Sequence, residues 1–170
     1  MLSSPGQAMW NANATALTVL LVLCQTANAQ KSKPFVLLPG TASHGISRFC
    51  SREGISNVTG SWRPSKHAIQ LLESRLQGIS ALRSKGELVG VQIQHPDYYY
   101  RQYLAVVIGS RKLIYVNAFS NDPLLPWRTG LVDVCDSGPS GWGVVYDPIT
   151  GQFSSLRVNS MLAAPPPPRS

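Results

Sequence analysis

The chain has three cysteines, and two of them, Cys50 and Cys135, remain once the predicted export signal that contains Cys24 is removed. An even pair in an oxidising compartment predicts a disulfide. Closing a loop of this length would stabilise the fold by about 4.5 kcal/mol, because it reduces the entropy of the unfolded chain. The alternative is that one cysteine is a nucleophile activated by His67 or His95, although no local nucleophile motif surrounds either cysteine.

Three carboxylates near the end of the chain are the second candidate for chemistry. Asp133, Asp136 and Asp147 would lie near one end of a sheet if the strands pair in chain order. Such a cluster could bind a cation or act in general acid–base catalysis. Asp is also a common turn residue, and that role is expected for Asp136 and Asp147. We predict no catalytic residue, and the alternative is a small envelope hydrolase using Asp133, Asp136 and His95 or a Cys nucleophile.

The histidines, His44, His67 and His95, are scattered along the chain. None lies at short spacing from another histidine, cysteine or carboxylate on one element, as a zinc site requires. The Gly-rich residues 137–143 lack the lysine and the following helix of a phosphate-binding loop, so they are predicted to be a turn. The sequence therefore predicts neither a metal site nor a cofactor.

Aromatic and basic side chains are interleaved at residues 98–103 (YYYRQY) and again at residues 127–128 (WR). This alternation is typical of stacking platforms for single-stranded nucleic acid, but tyrosine is also a common strand residue. Tyr, Trp and Arg are enriched at interface hot spots, which favours a surface that binds an envelope protein or a glycan. The predicted binding residues are Trp127, Arg128, Tyr99 and Arg101. Trp142 is expected to fill the core.

The net charge of +7 is the excess of 15 basic over 8 acidic residues, and the basic residues are spread thinly along the chain. No run of five or more basic residues occurs, which argues against a dedicated nucleic-acid-binding arm. The expected consequence is a solvated basic surface with a weak attraction to anionic surfaces or glycans. No nucleic-acid partner is predicted.

The first 29 residues have the features of an export signal. Residues 14–24 (ATALTVLLVLC) form an apolar run too short to span a bilayer, and Ala27-Asn28-Ala29 matches a cleavage site. No Lys or Arg precedes the run, so an uncleaved anchor or a disordered leader is the alternative. We predict a periplasmic or extracellular protein with no membrane span after signal removal.

One helix is predicted among the elements that position these side chains. Pro64 and Ser65 suit its first turn and N-cap, and Lys85-Gly86 suit its last turn and C-cap. An apolar stripe recurs between them at spacings of three and four: Ile69, Leu72, Leu76, Ile79 and Leu82. Residues 30–61 are predicted to be irregular, with an edge strand at residues 35–38 between two prolines.

A β-hairpin at residues 103–119 (YLAVVIGSRKLIYVNAF) is the predicted centre of the fold. Both of its strands are apolar on both faces, as in the middle of a covered sheet. Placing Ile108 opposite Leu113 keeps Arg111 and Lys112 in water at the tip. Further strands are predicted at residues 88–94, 131–135, 142–146 and 153–159, with a β-turn at residues 147–151.

These elements predict an α+β fold, in which one amphipathic helix packs on an antiparallel sheet of about five strands. With the strand at residues 35–38 the order is β-α-β-β-β-β-β, which is the order of cystatin-like folds. The α+β domain is expected to cover residues 62–160. The Pro-rich residues 161–170 are expected to be a disordered tail.

Five stretches resemble a group of small exported proteobacterial proteins with no assigned activity. They are WRP at 62–64, YRQY at 100–103, YVNAF at 115–119, VCDSG at 134–138 and YDPITGQF at 146–153. Where that pattern tends to have an acidic residue early in the helix, this chain has Lys66 and His67. The resemblance implies a compartment and no chemistry. Because the sequence shows no nucleophile or metal site with an activating partner, the predicted function is an exported, non-catalytic binding or inhibitory module.

Cleavage after Ala29 is the first testable prediction. The mature protein should begin at Gln30, because the A-x-A motif marks the site at which signal peptidase cuts. Intact-mass spectrometry of the exported product measures the terminus. A product that begins at Met1 or Met9 would contradict cleavage.

Overall fold

The computed structural model describes residues 32–120 and 126–162; the predicted signal peptide and residues 163–170 of the predicted tail lie outside them. The described chain confirms the α+β class, with one sheet of six mostly antiparallel strands and few helices. The elements are β1 (Phe35–Leu37), β2 (Val58–Ser61), α1 (Lys66–Ser74), β3 (Tyr100–Ile108), β4 (Arg111–Phe119), β5 (Gly141–Asp147) and β6 (Gln152–Val158). Within these residues no helix has the length and apolar character needed to cross a bilayer.

The β3–β4 hairpin lies at the centre of the sheet, as the two apolar runs predict. Its predicted register is wrong, because Ile108 pairs with Arg111 and not with Leu113. The turn has only two residues, and Gly109 takes the positive φ (59°) that the first position of a type II′ turn requires. Since the difference is two residues, every side chain keeps its predicted face. Arg111 and Lys112 remain exposed.

The outer edge of β3 is shared by two short strands. β1 pairs in parallel with residues 101–103, and β2 pairs antiparallel with residues 106–108. At the junction, the Leu38 N–H donates to the Tyr103 carbonyl (2.9 Å) and the Trp62 N–H donates to the Ala105 carbonyl (3.3 Å). The segments that follow β1 and β2 diverge at this point, and a cleft opens between them.

The helical segment covers one face of the sheet, but it is shorter than predicted. Ser65 caps α1 as expected, since its hydroxyl accepts from the Ala68 N–H (3.1 Å). The α-helix ends at Ser74, and Leu76–Ala81 form a 3-10 helix, so the predicted C-cap at residues 85–86 is wrong. Residues three apart align in a 3-10 helix. The spacing of Leu76, Ile79 and Leu82 therefore keeps all three against the core cluster.

Residues 88–94 form a loop and not the predicted strand. The loop folds back on Ser84, whose backbone N–H donates to the Val91 carbonyl (2.9 Å) and whose hydroxyl accepts from the Val91 N–H (2.9 Å). Gly90 has a φ of +83°, and Val89, predicted to face inward, is 74% exposed. The alternation of apolar residues did not produce a strand here, and Ile93 is the one deeply buried residue among residues 88–94.

Residues 131–135 also contain no strand, because their backbone groups bond to side chains. The Val132 N–H donates to Gln102 Oε1 (2.9 Å), and the Val132 carbonyl accepts from Asn117 Nδ2 (2.7 Å). The segment therefore lies against a face of the sheet and does not extend its edge. With two strands before α1 and these two predicted strands missing, the cystatin-like order of elements is wrong.

Arg101 was predicted to be part of a binding surface, and this is wrong because its side chain is fully buried (0% exposed). Its guanidinium forms an ion pair with Glu73 of α1 (3.1 Å) and donates to the Tyr103 hydroxyl (3.2 Å). It also donates to the backbone carbonyls of Lys33 (2.8 Å), Asp97 (3.1 Å) and Tyr99 (2.7 Å). Burial, reinforced by the Glu73 charge, raises the pKa of Tyr103 well above its usual value.

A disulfide joins Cys50 to Cys135, with an S–S distance of 2.11 Å and a Cα–Cα distance of 5.4 Å. This confirms the predicted pair, and the bond leaves neither sulfur as a thiol nucleophile. The bond links two irregular segments that lie against the sheet face opposite α1. The Cys50 N–H also donates to Asp133 (3.0 Å), which adds a second link between the same segments.

Replacing Glu73 by alanine should lower the free energy of unfolding by about 3 kcal/mol, because Arg101 would remain buried without its carboxylate. Urea denaturation at neutral pH measures the loss. Glu87→Ala is the matched control, since Glu87 is exposed and has no ion pair with any described residue. Equal losses in the two variants would contradict the role of the ion pair.

Removing the disulfide with Cys50→Ala/Cys135→Ala should lower the free energy of unfolding by about 4.5 kcal/mol, because the unfolded chain gains loop entropy. Denaturation of the unreduced wild type beside the double variant measures the difference. Reduction of the wild type should reproduce it. Labelling of Cys50 or Cys135 by a thiol reagent in unreduced, denatured protein would contradict the bond.

Candidate functional site

The carboxylates and the histidine of the alternative hydrolase are not assembled into one site. Asp133 accepts the Cys50 N–H, Asp136 accepts the Ser160 hydroxyl (3.0 Å), and the His95 ring stacks on Tyr98 (4.8 Å). No group of three or more His, Cys, Asp and Glu among the described residues could hold a metal ion. The structure therefore provides no support for the Asp133/Asp136/His95 alternative.

Asp147 lies apart from the other two carboxylates, so the predicted cluster of three is wrong. Asp136 precedes the start of β5, whereas Asp147 is the last residue of this seven-residue strand, which is about 20 Å long. The predicted turn is confirmed, because Asp147 Oδ1 accepts from the Ile149 N–H (2.9 Å). The hydrogen bond from Arg111 holds the pKa of Asp147 below its usual value.

The predicted binding residues do not share one surface. Trp127 is only 8% exposed and packs on the Tyr100 and Phe119 rings, so it is a core residue and not an exposed anchor. Tyr99 packs edge-on against Trp142 in the core cluster on the α1 side of the sheet. Trp142 is fully buried, as expected.

Arg128 alone among the predicted binding residues is well exposed. Its guanidinium lies 4.7 Å from the centre of the Trp127 ring. An isolated arginine on one indole is a weak basis for a site. The sequence did not predict the burial of Trp127, because the residue types of an aromatic–basic pair are the same whether the aromatic ring faces solvent or the core.

A cleft beside the disulfide also has cations, but carboxylates line it as well. It measures about 490 Å³, and its charged lining residues are Arg52, Lys85 and Arg157 together with Glu53 and Glu87. Arg157 pairs with Glu53 (2.9 Å), while Arg52 lies 3.9 Å from the Phe49 ring and donates to Asn117 and Asn159. These contacts hold the irregular segments on the sheet. The carboxylates of Glu53 and Glu87 offset part of the positive charge of this cleft.

The cleft between the ends of β1 and β2 is different, and we call it the tryptophan cleft. It measures about 620 Å³; residues 37–40 form one wall, residues 61–64 form the other, and Ala105 of β3 lies between them. Trp62 is half-buried in this cleft, and its indole N–H donates to the Leu113 carbonyl (3.0 Å). The ring is thus held in one orientation by the sheet.

Two cations lie beside this indole without an acidic partner. Arg63 lines the cleft, and Lys112 Nζ lies 5.9 Å from the centre of the Trp62 ring. The three ion pairs among the described residues include neither, and Asp147 pairs with the neighbouring Arg111. Lys66 is also exposed just beyond the cleft wall. No acidic residue lines the cleft, so its mouth is positively charged.

The sequence contained a partial signal for this site. Trp62-Arg63-Pro64 is one of the stretches that resemble other exported proteins, and it places an aromatic and a basic residue directly before the helix. Lys112 lies on the second strand of the hairpin, and only the pairing of β2 with β3 brings it to Trp62.

No protein-family model, curated protein or solved structure matches this chain.

Proposed function

We propose that this chain is an exported, non-catalytic binding module that takes an anionic ligand in the tryptophan cleft. The observation that carries the proposal is the presence of two cations without ion-pair partners, Arg63 and Lys112, beside an oriented, half-buried indole. Trp and Arg are enriched among the residues that contribute most to binding.

The charge balance of the surface supports an anionic ligand over a cationic or neutral one. Exposed cations that lack acidic partners attract anions over a distance of about one Debye length, roughly 8 Å at physiological salt. A cleft with low-dielectric walls concentrates this attraction. The indole adds a flat apolar surface that can contact the uncharged part of the same ligand.

Export is supported by the Cys50–Cys135 disulfide, because such bonds persist in oxidising compartments. The resemblance to small exported proteobacterial proteins agrees with this compartment. We do not propose a hydrolase, since Asp133 and Asp136 already accept hydrogen bonds from Cys50 and Ser160 and His95 stacks on Tyr98.

Arg63→Ala/Lys112→Ala should weaken binding of an anionic probe about tenfold or more, because it removes the cation that lines the cleft and the cation beside its indole. The probe is sialic acid, a sugar with one carboxylate, titrated by calorimetry near physiological salt. Arg48→Ala/Lys85→Ala is the matched control, since it removes the same two charges from exposed positions outside the cleft.

The titration has three distinguishable outcomes. Loss of binding in the cleft variant alone supports the proposal. Equal weakening in both variants would show attraction by net charge without a site, and unchanged binding in the cleft variant would place the anion elsewhere. Either of these two results would contradict the tryptophan cleft as the binding site.

A further inference from the structure

A second cleft continues the tryptophan cleft along β2, and we call it the hydroxyl cleft. It measures about 420 Å³ and lies between the 3-10 helix Gly40–Gly45 and β2. The two clefts share Gly40 and Ser61 as lining residues. A Cβ on Gly40 would lie 2.2 Å from Ser61 Oγ, so only glycine allows the two segments to approach this closely. Their contact forms a low ridge between the clefts.

The chemistry of the hydroxyl cleft differs from that of its neighbour. Its exposed polar side chains are Thr41, His44, Ser47, Asn57, Thr59 and Ser61. No Asp, Glu, Lys or Arg lines it. The side chains of Thr41, Ser47 and Asn57 have no hydrogen-bond partner within residues 32–120 and 126–162, whereas Thr59 donates to the Val107 carbonyl (3.2 Å). Several neutral donors and acceptors are therefore free to bind a ligand.

We propose that the two clefts together bind one acidic oligosaccharide. Its charged sugar, with a carboxylate or a phosphate, lies between Arg63 and Lys112, and its neutral sugars extend over Gly40 into the hydroxyl cleft. This inference rests on the function proposed above and names the class of ligand. The ligand chemistry follows from the asymmetry of the surface, which has cations and an indole at one end and neutral hydroxyl and amide groups at the other.

An acidic peptide fits these clefts less well. An extended peptide that pairs with a strand edge needs pockets for alternate side chains, and acidic side chains need cations along their length. The hydroxyl cleft offers no cation, and its wall side chains are mostly small and polar. Sugars present many hydroxyl groups, each able to donate and accept, which matches free Thr, Ser and Asn side chains.

The test measures how two variants bind an acidic trisaccharide and its separate acidic and neutral parts. The probes are sialyllactose (one acidic and two neutral sugars), sialic acid, lactose and a short oligoglutamate. Arg63→Ala/Lys112→Ala removes the cations, and Thr41→Val/Ser47→Ala removes two free hydroxyls while nearly preserving shape. Thr150→Val/Ser154→Ala is the matched control, because both of its residues are exposed outside the two clefts. Calorimetric titration gives each affinity.

We expect the wild type to bind sialyllactose about tenfold more tightly than sialic acid, and lactose only weakly. The hydroxyl variant should lose this advantage and keep the affinity for sialic acid. The cation variant should lose both ligands, and the control should bind as the wild type does.

Two results would overturn the oligosaccharide while leaving the anion site in place. In one, sialyllactose binds no more tightly than sialic acid; in the other, oligoglutamate binds more tightly than sialyllactose and the hydroxyl variant makes no difference. Unchanged affinity for sialic acid in the cation variant would instead overturn the function proposed above, and this inference with it. The readouts therefore distinguish the two failures.

Discussion

The buried guanidinium of Arg101 is the interaction on which the arrangement of the fold depends. A cation without exposure must have partners for its charge and its donors, because an unpaired buried charge is strongly destabilising. Here Glu73 supplies the charge from α1, while the backbone around Lys33 and Tyr99 supplies carbonyls. One side chain thereby joins the helix, the central strand, the segment before β1 and the turn before β3. The helix cannot shift along the sheet without breaking this set.

The opposite face of the sheet is held by a different means, since no α-helix covers it in the part of the chain that the structure describes. Irregular segments lie there, and their backbone groups would be unsatisfied without side-chain partners. Gln102 and Asn117 point from the central strands and bond to the residues around Val132. The disulfide closes the same layer. The side-chain amides of the sheet thus give these loops the hydrogen-bond partners that a neighbouring strand would give to a strand.

The tryptophan cleft is a consequence of the same construction. Arg101 and its neighbours pair with β1 at one end of β3, while β2 takes the other end, so the two segments part above Ala105. Trp62 lines this gap, and its indole is oriented by a carbonyl of β4. The cleft is therefore rigid at its base, and its cations are left for solvent or a ligand. Such preorganisation reduces the ordering entropy that binding must overcome.

The amino-acid sequence by itself determined the features that depend on local chemistry: the hairpin from its apolar runs, the Ser65 cap, the Asp147 turn and the cysteine pair. Tertiary structure decided which apolar alternations became strands, because side chains such as those of Ser84 and Gln102 can replace a neighbouring strand as backbone partner. It also decided that Arg101 and Trp127 are buried, since residue type specifies what a side chain can bond to and only packing specifies whether water can reach it. The cleft required tertiary structure most of all, because its walls and Lys112 come from three separate parts of the chain that meet only when β1, β2 and β4 assemble around β3.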